Sequence, residues 1–176
     1  MANPARRSKL QAARTRPAGF TIRRASIDDV EVVTTHRRGM FYDMGYQDEA
    51  ALNSMVAKFR PWVAERIKSG EYLGWLAVDA HGVIAAGASL WLMDWPPHLI
   101  GSGVRRGNIL NVYTAPEFRR CGLARCLMEV MLEWCHGNRI DTVILHASPS
   151  GRALYESMGF KPTNEMRLLL TSNPEP

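Results

Sequence analysis

The stretch Asn111-Val112-Tyr113-Thr114-Ala115-Pro116-Glu117-Phe118-Arg119-Arg120-Cys121-Gly122-Leu123-Ala124 decides the fold. It reads as a strand, a turn at Pro116, a basic pair, and a small-residue entry into a helix. The first N–H groups of a helix have no intrahelical partner. The helix dipole places about half a positive charge at the same end. Small residues at 122 and 124 let an anion approach the backbone, and Arg119, Arg120 and Arg125 add full charges nearby. These residues point to a phosphate or pyrophosphate ligand. The P-loop and the dinucleotide fingerprint Gly-x-Gly-x-x-Gly are both absent from the chain. On its own, Arg119-x-x-Gly122-x-Ala124 is also what a tight strand-to-helix turn needs.

Downstream, Leu123, Leu127, Val130, Met131 and Trp134 share one helical face. Arg125, Glu129 and Glu133 lie on the other, and Gly137 closes the helix. Thr142–Leu145 reads as a short buried strand, and Ser150–Met158 as a short helix ended by Gly159. Phe160 and Arg167–Thr171 read as the last strands. Upstream, Phe20–Arg24 is a strand. Ser26 and Asp29 form a capping box that predicts a helix from Ile27 to Gly45, with a weak apolar stretch over Thr34–Arg38. A second helix runs from Asp48 to Arg60, with Pro61 breaking or kinking it before Lys68. Tyr72–Asp79 and Val83–Met93 form a hairpin through Ala80-His81-Gly82. A loop over 94–107 leads to the strand Asn108–Tyr113. The order β-α-α-β-β-β-α-β-α-β-β predicts an α/β (α+β) domain. Its sheet is mixed and mostly antiparallel, with about six or seven strands and four flanking helices.

The 176 residues suit one domain, and 46% apolar with 22% charged residues is ordinary globular composition. The net charge of +5 is carried by Arg6, Arg7, Lys9, Arg14 and Arg16 in an acid-free arm over 1–18. Residues 19–176 then balance at 17 basic against 17 acidic groups, so the body is no general polyanion binder. We expect a flexible arm at 1–18 and a folded domain over 19–173. The arm also has some look of an organelle transit peptide. The longest nearly apolar run, Val83–Met93, is too short to span a bilayer, and no secretory signal is seen. Cys121, Cys126 and Cys135 have neither zinc nor redox spacing and read as reduced thiols. A cytoplasmic protein without membrane partners is the expectation.

The Arg119–Ala124 pattern resembles motif A of the GNAT acetyltransferase superfamily, Gln/Arg-x-x-Gly-x-Gly/Ala. About thirty residues on, Ser150-Gly151-Arg152-Ala153-Leu154-Tyr155-Glu156-Ser157-Met158-Gly159-Phe160 resembles the family's motif B. The element order matches as well, from Phe20 to the last strand. The resemblance implies acetyl-CoA as co-substrate, no metal, and a V-shaped splay between strands 4 and 5. It implies pyrophosphate binding by the loop holding Arg119, Arg120, Cys121, Gly122, Leu123 and Ala124. It also implies pantetheine pairing along Val112, Tyr113 and Thr114, and basic contacts from Arg125 and Arg152 to the adenine end. Tyr155 is implied near the sulfur, as the acid that protonates the departing thiolate.

An N–H freed by a bulge near Val112 would face the charge developing on the thioester oxygen. His146 is a candidate base by pKa class, although a histidine beside an apolar run is also ordinary packing. Phe41, Tyr42 and Asn111 are candidate acceptor-site residues, with Tyr46, Trp91 and Trp95 as further aromatics. Asp43 and Asp94 are acids that would attract a cationic amine. The implied activity is N-acetyl transfer to a primary amine, on a small molecule or peptide, by direct attack in a ternary complex. The alternative is a catalytically silent acyl-CoA sensor. A homodimer through edge pairing of the last strands is allowed, and nucleic acid is not an expected partner. Were the arm a nucleic-acid binder, deleting residues 1–18 would abolish a steeply salt-dependent binding; the expectation is indifference to the deletion. A gel-shift titration in rising salt checks this.

Overall fold

The computed structural model describes residues 17–99, 101, 103–168 and 170. Apart from Pro17 and Ala18, the basic arm lies outside the described residues. One five-stranded sheet runs in the order β1 (Phe20–Arg24), β2 (Tyr72–Asp79), β3 (Ile84–Asp94), β4 (Arg105–Thr114), β5 (Val143–Leu145). Neighbours are antiparallel except β4 and β5, which are parallel. A parallel pair needs a crossover, and helix α3 (Leu123–Gly137) makes it. Helices α1 (Val30–Asp43) and α2 (Glu49–Ser69) precede β2, and α4 (Pro149–Ser157) follows β5.

The sheet is covered on both faces. Leu123, Leu127, Met128 and Met131 of α3 are essentially inaccessible to solvent. They share a core with Leu73, Trp75, Ala88, Leu90 and Ile109 from the strands. Val33, Phe59, Val63 and Tyr72 form the core on the α1–α2 side, with Met55, Trp62, Trp91 and Leu110 packed against it. Fully burying a large apolar side chain is worth about 2 kcal/mol. The face periodicity of α3 is thus what fastens the crossover helix to the sheet.

The first helix departs slightly from the sequence reading. Ile27–Asp29 is a 3-10 turn, and the α-helix begins at Val30. The capping box is present: the Ser26 side chain accepts from the Asp28 N–H, and the Asp29 carboxylate accepts from the Ser26 N–H. Helix α2 continues through Pro61 instead of breaking there. Proline removes one hydrogen bond from a helix, but Phe59 and Val63 on either side are buried and hold the helix to the sheet.

The sheet has fewer strands than expected. Phe160 and residues 161–168 are not in a strand, and Leu169 and Thr171 lie outside the described residues. Leu168 and Leu170, within the expected strand Arg167–Thr171, are almost fully exposed, as is Met166 before it. Alternation reports a strand only where a neighbour covers one face.

A part-buried ion pair joins β1 to the entry of α1. Both Oδ atoms of Asp29 accept from the Arg23 guanidinium, at 2.7 and 2.8 Å. This pairing, first through hydrogen bonding, holds the Asp29 carboxyl down at about 2. A lowered carboxyl adds stability that is complete above its unfolded value near 3.8 and is lost as pH falls toward 2. Because Arg23 is about half exposed, the pair is worth on the order of 1–2 kcal/mol. Asp29→Asn should lower stability by that amount at pH 7 and flatten the acid limb between pH 4 and 2. Urea titrations across that pH range check both effects.

Candidate active site

The site is set by where β5 stops. It pairs with β4 only through Gly107, Asn108 and Ile109, opposite Val143, Ile144 and Leu145. Strand β4 continues to Thr114. Residues 110–114 therefore have no strand partner on the β5 side among the described residues, and the two strands part in a V. Val112, Tyr113 and Thr114 lie on this free edge.

β4 is also bulged where the edge opens. Gly87 of β3 faces Tyr113 and Ser89 faces Leu110, so Asn111 and Val112 together oppose Ala88. Asn111 has φ 52, in the left-handed region that few non-glycine residues adopt. A bulge leaves one residue outside the hydrogen-bond ladder and re-aims the groups beside it. The bulge falls beside Val112, where the sequence reading expected one.

The Asn111 side chain is buried and satisfied at both ends. Its Oδ1 accepts from Arg37 Nη1 at 2.8 Å, and its Nδ2 donates to the Tyr72 hydroxyl at 2.8 Å. Tyr72 is also hydrogen-bonded to Ser89, and burial pushes its phenol up to about 12. The Arg37 guanidinium lies over the rings of Phe59 and Phe41, at 4.5 and 5.0 Å. Beside it, His36 packs against Tyr113 at 5.1 Å between ring centroids, and burial lowers it to about 4, so it is neutral at pH 7. Gly39 lets α1 close onto β4, because a Cβ there would lie 2.8 Å from the Tyr113 ring. Of the candidate acceptor residues, Phe41 is half-buried against Tyr46 and Arg37, Tyr42 is exposed, and Asn111 is buried. The sequence reading did not single out Arg37, His36, Tyr72 or Ser89. The signal was the polar interruption of α1 at Thr34–Arg38, which marks inward polar groups.

At the turn into α3, Arg120 has φ 63 and Gly122 has φ 77. Holding a non-glycine residue there costs about 1 kcal/mol or more, and such strain gathers at functional sites. Gly122 is the N-cap, with no side-chain cap and no acid in the first turn of the helix. The helical hydrogen bonds begin with the Cys126 N–H to the Gly122 carbonyl, at 3.0 Å. The nearest atom to a Cβ on Gly122 would be 3.9 Å away, on Pro17, so the turn is open in front of the helix. Leu123 is buried and anchors the helix start, while Arg120 and Cys121 are exposed and Ala124 is half-buried. The Arg119 side chain is turned back instead. Its Nε donates to the Thr114 carbonyl at 3.0 Å, and its Nη2 pairs with Asp43. It thereby fastens the turn to the end of α1. Arg125 reaches across to Ser157 on α4, and Arg152 pairs with Glu156.

Asp43 is ion-paired with Arg119, and the exposed Asp94 lies 3.6 Å from Arg105. Tyr155 on α4 is half-buried, lies over Gly151, and meets Phe160 edge-on at 6.1 Å. It packs against the same core as Val112 and Leu145. Burial raises its phenol above the ordinary value. His146 follows β5 directly, is exposed, and has Nδ1 at 3.5 Å from Arg167. All three cysteines are free: Cys126 and Cys135 are buried and Cys121 is exposed. No group of three metal-ligating side chains occurs among the described residues, and no described helix is long and apolar enough to cross a membrane.

A five-stranded mixed sheet opened between its last two strands, with an uncapped helix start below the opening, defines a class of acyl-CoA-dependent transferases. The acetyltransferase (GNAT) family model matches residues 31–160, and the chain belongs to that family. A GCN5-related N-acetyltransferase of Ralstonia eutropha JMP134 shares 36% identity, over 86% of this chain and 99% of that one, with a TM-score of 0.82. A predicted acetyltransferase of Clostridium acetobutylicum, crystallised with acetyl-CoA, has the same fold at 24% identity. That match covers 85% and 95% of the two chains, with a TM-score of 0.78. Glucosamine-6-phosphate N-acetyltransferase of Arabidopsis thaliana also shares the fold, at 20% identity over 86% and 99%, with a TM-score of 0.62. No curated protein matches the sequence.

The open helix start makes Gly122 the position to probe. Gly122→Glu adds bulk, strain and negative charge, and should weaken acetyl-CoA binding about tenfold or more, or ~1.4 kcal/mol. Gly122→Asn tolerates the left-handed conformation and should weaken it less. Calorimetric titration of the two variants checks the order.

Proposed function

We propose that this protein moves the acetyl group of acetyl-CoA to a primary amine, by direct attack within a ternary complex. The observation that carries the reading is that β4 outruns β5, leaving residues 110–114 unpaired beside the bulge. An extended pantetheine arm is a strand-like partner for Val112–Thr114. The backbone at Arg120–Ala124 suits the pyrophosphate: it combines unpaired N–H groups, the helix dipole and an open glycine. Arg125 on α3 and Arg152 on α4 are both exposed and are our candidates for the 3′-phosphate. Arg119 holds the loop in shape through Thr114 and Asp43.

The bulge supplies an N–H, at Val112, for charge developing on the carbonyl oxygen. A donor of this kind is worth about 3 kcal/mol. Acetyl-CoA brings the activated acetyl group, and the chain's residues supply position and proton transfer. Tyr155 has its phenol raised by burial, so it holds its proton at neutral pH and is suited to give it to the leaving thiolate. His146, exposed directly after β5, is our candidate to accept the amine's proton. Phe41 and Tyr42 on α1 are our candidates for the acceptor side, whereas the Asn111 side chain is taken up by Arg37 and Tyr72.

Tyr155→Phe removes the proton and keeps the ring that packs on Phe160. In a CoA-release assay over a panel of amines it should lower kcat by about 10–100-fold, with little change in the KM for acetyl-CoA. An unaltered kcat removes the acid role. No release above hydrolysis for any amine counts against transfer itself.

A further inference from the structure

Resting on the acetyl-transfer reading, we propose that Arg37 is a positioning residue. Acting through Asn111, it locks the β4 bulge in the form that turns the Val112 N–H toward the thioester carbonyl. Three observations bear on this. Asn111 sits mid-strand at φ 52, a conformation costing about 1 kcal/mol or more, so something outside the backbone must hold it. Its side chain is clamped from both directions, by Arg37 Nη1 on the oxygen and by the Tyr72 hydroxyl on the nitrogen, each at 2.8 Å. The clamp is itself rigid. Tyr72 is buried on β2 and hydrogen-bonded to Ser89, which faces Leu110 immediately before the bulge. Arg37 is fixed over the Phe41 and Phe59 rings.

Arg37 is a charge with no carboxylate partner among the described residues. The nearby acids are used elsewhere: Glu31 by Arg60, Asp43 by Arg119 and Glu49 by Arg38. Its Nε is buried without a partner. A half-buried unpaired cation is costly, and in an ordinary core its methylene analogue would serve as well. Here the charge strengthens the hydrogen bond to Asn111. It also gives the bulge a fixed positive field on the side where negative charge develops during transfer. Three strands and one helix thus converge on a single amide, and that amide fixes one backbone N–H.

The test reads the carbonyl directly and needs no acceptor. Isotope-edited infrared spectroscopy of carbonyl-labelled acetyl-CoA, bound to the full chain, should show the C=O stretch shifted to lower frequency than in free acetyl-CoA. Arg37→Met keeps the apolar stem between the two phenylalanines. Asn111→Gly keeps the left-handed conformation accessible but removes both clamps. Each variant should lose most of the shift, while the calorimetric Kd for acetyl-CoA stays within about twofold. The double variant should lose no more than either single one, because the two residues act as a unit. If Arg37→Met fails to fold, Asn111→Gly is compared instead with Tyr72→Phe, which removes the other clamp on Asn111 and keeps the Arg37 hydrogen bond: Tyr72→Phe should keep more of the shift than Asn111→Gly, and equal loss overturns the role of Arg37. A shift retained in the variants, or absent in the wild type while acetyl-CoA is bound, overturns the proposal. No binding by the wild type overturns the acetyl-transfer reading, and this proposal with it.

Discussion

Everything in the site follows from a mismatch in strand length. β4 has ten residues and β5 has three, and the pair shares only Gly107–Ile109. Had β5 continued in register, residues 110–114 would have spent their backbone groups on a neighbour. Instead the chain leaves β5 at His146 and turns into α4 through Ser148, whose side chain accepts from the Gly151 N–H. That cap, with Pro149 at the first helical position, ends the strand firmly. The opening is therefore built from local chemistry at Ser148 and Pro149, and α3 holds the two strands in place from below.

The two faces of the sheet do different work. The α3 face is apolar and densely buried, from Leu73 to Met131. The α1–α2 face mixes its apolar residues with a connected set of polar ones: Arg37, Asn111, Tyr72 and Ser89. Thr34, Arg37 and Asn108 each hold a buried polar atom without a hydrogen-bond partner, Arg66 Nε has only the long ion pair to Glu71 at 3.7 Å, and all four residues belong to α1, α2 or β4. Such groups are uncommon and costly in a folded domain. Their gathering on one side makes that side the less stable and the more chemically committed of the two.

The sequence was most legible where side-chain pattern and backbone agree. The α3 face, the Ser26–Asp29 box and the hairpin at Gly82 were all readable from residue type and spacing, and the structure has them. The open helix start was readable because Gly122 and Ala124 are adjacent to the strand-to-helix turn in sequence. The rest was hidden for a physical reason. Arg37, Tyr72, Ser89 and Asn111 are far apart in the chain, and only the pairing register and the packing of α1 bring them together. Asn111 gave no hint of its left-handed backbone, since asparagine is ordinary in a strand until a bulge demands otherwise. The last strands failed in the opposite direction: Leu168, within the expected strand Arg167–Thr171, is covered by no neighbour among the described residues.

The central claim is that the parted strands and the start of α3 together receive coenzyme A. A crystal structure of the full chain grown with coenzyme A tests it most directly. The account predicts density for the diphosphate against the backbone of Arg120–Ala124, and for the pantetheine arm running alongside Val112–Thr114. Coenzyme A bound elsewhere, or residues after Leu145 closed against β4 with no room between them, would contradict it.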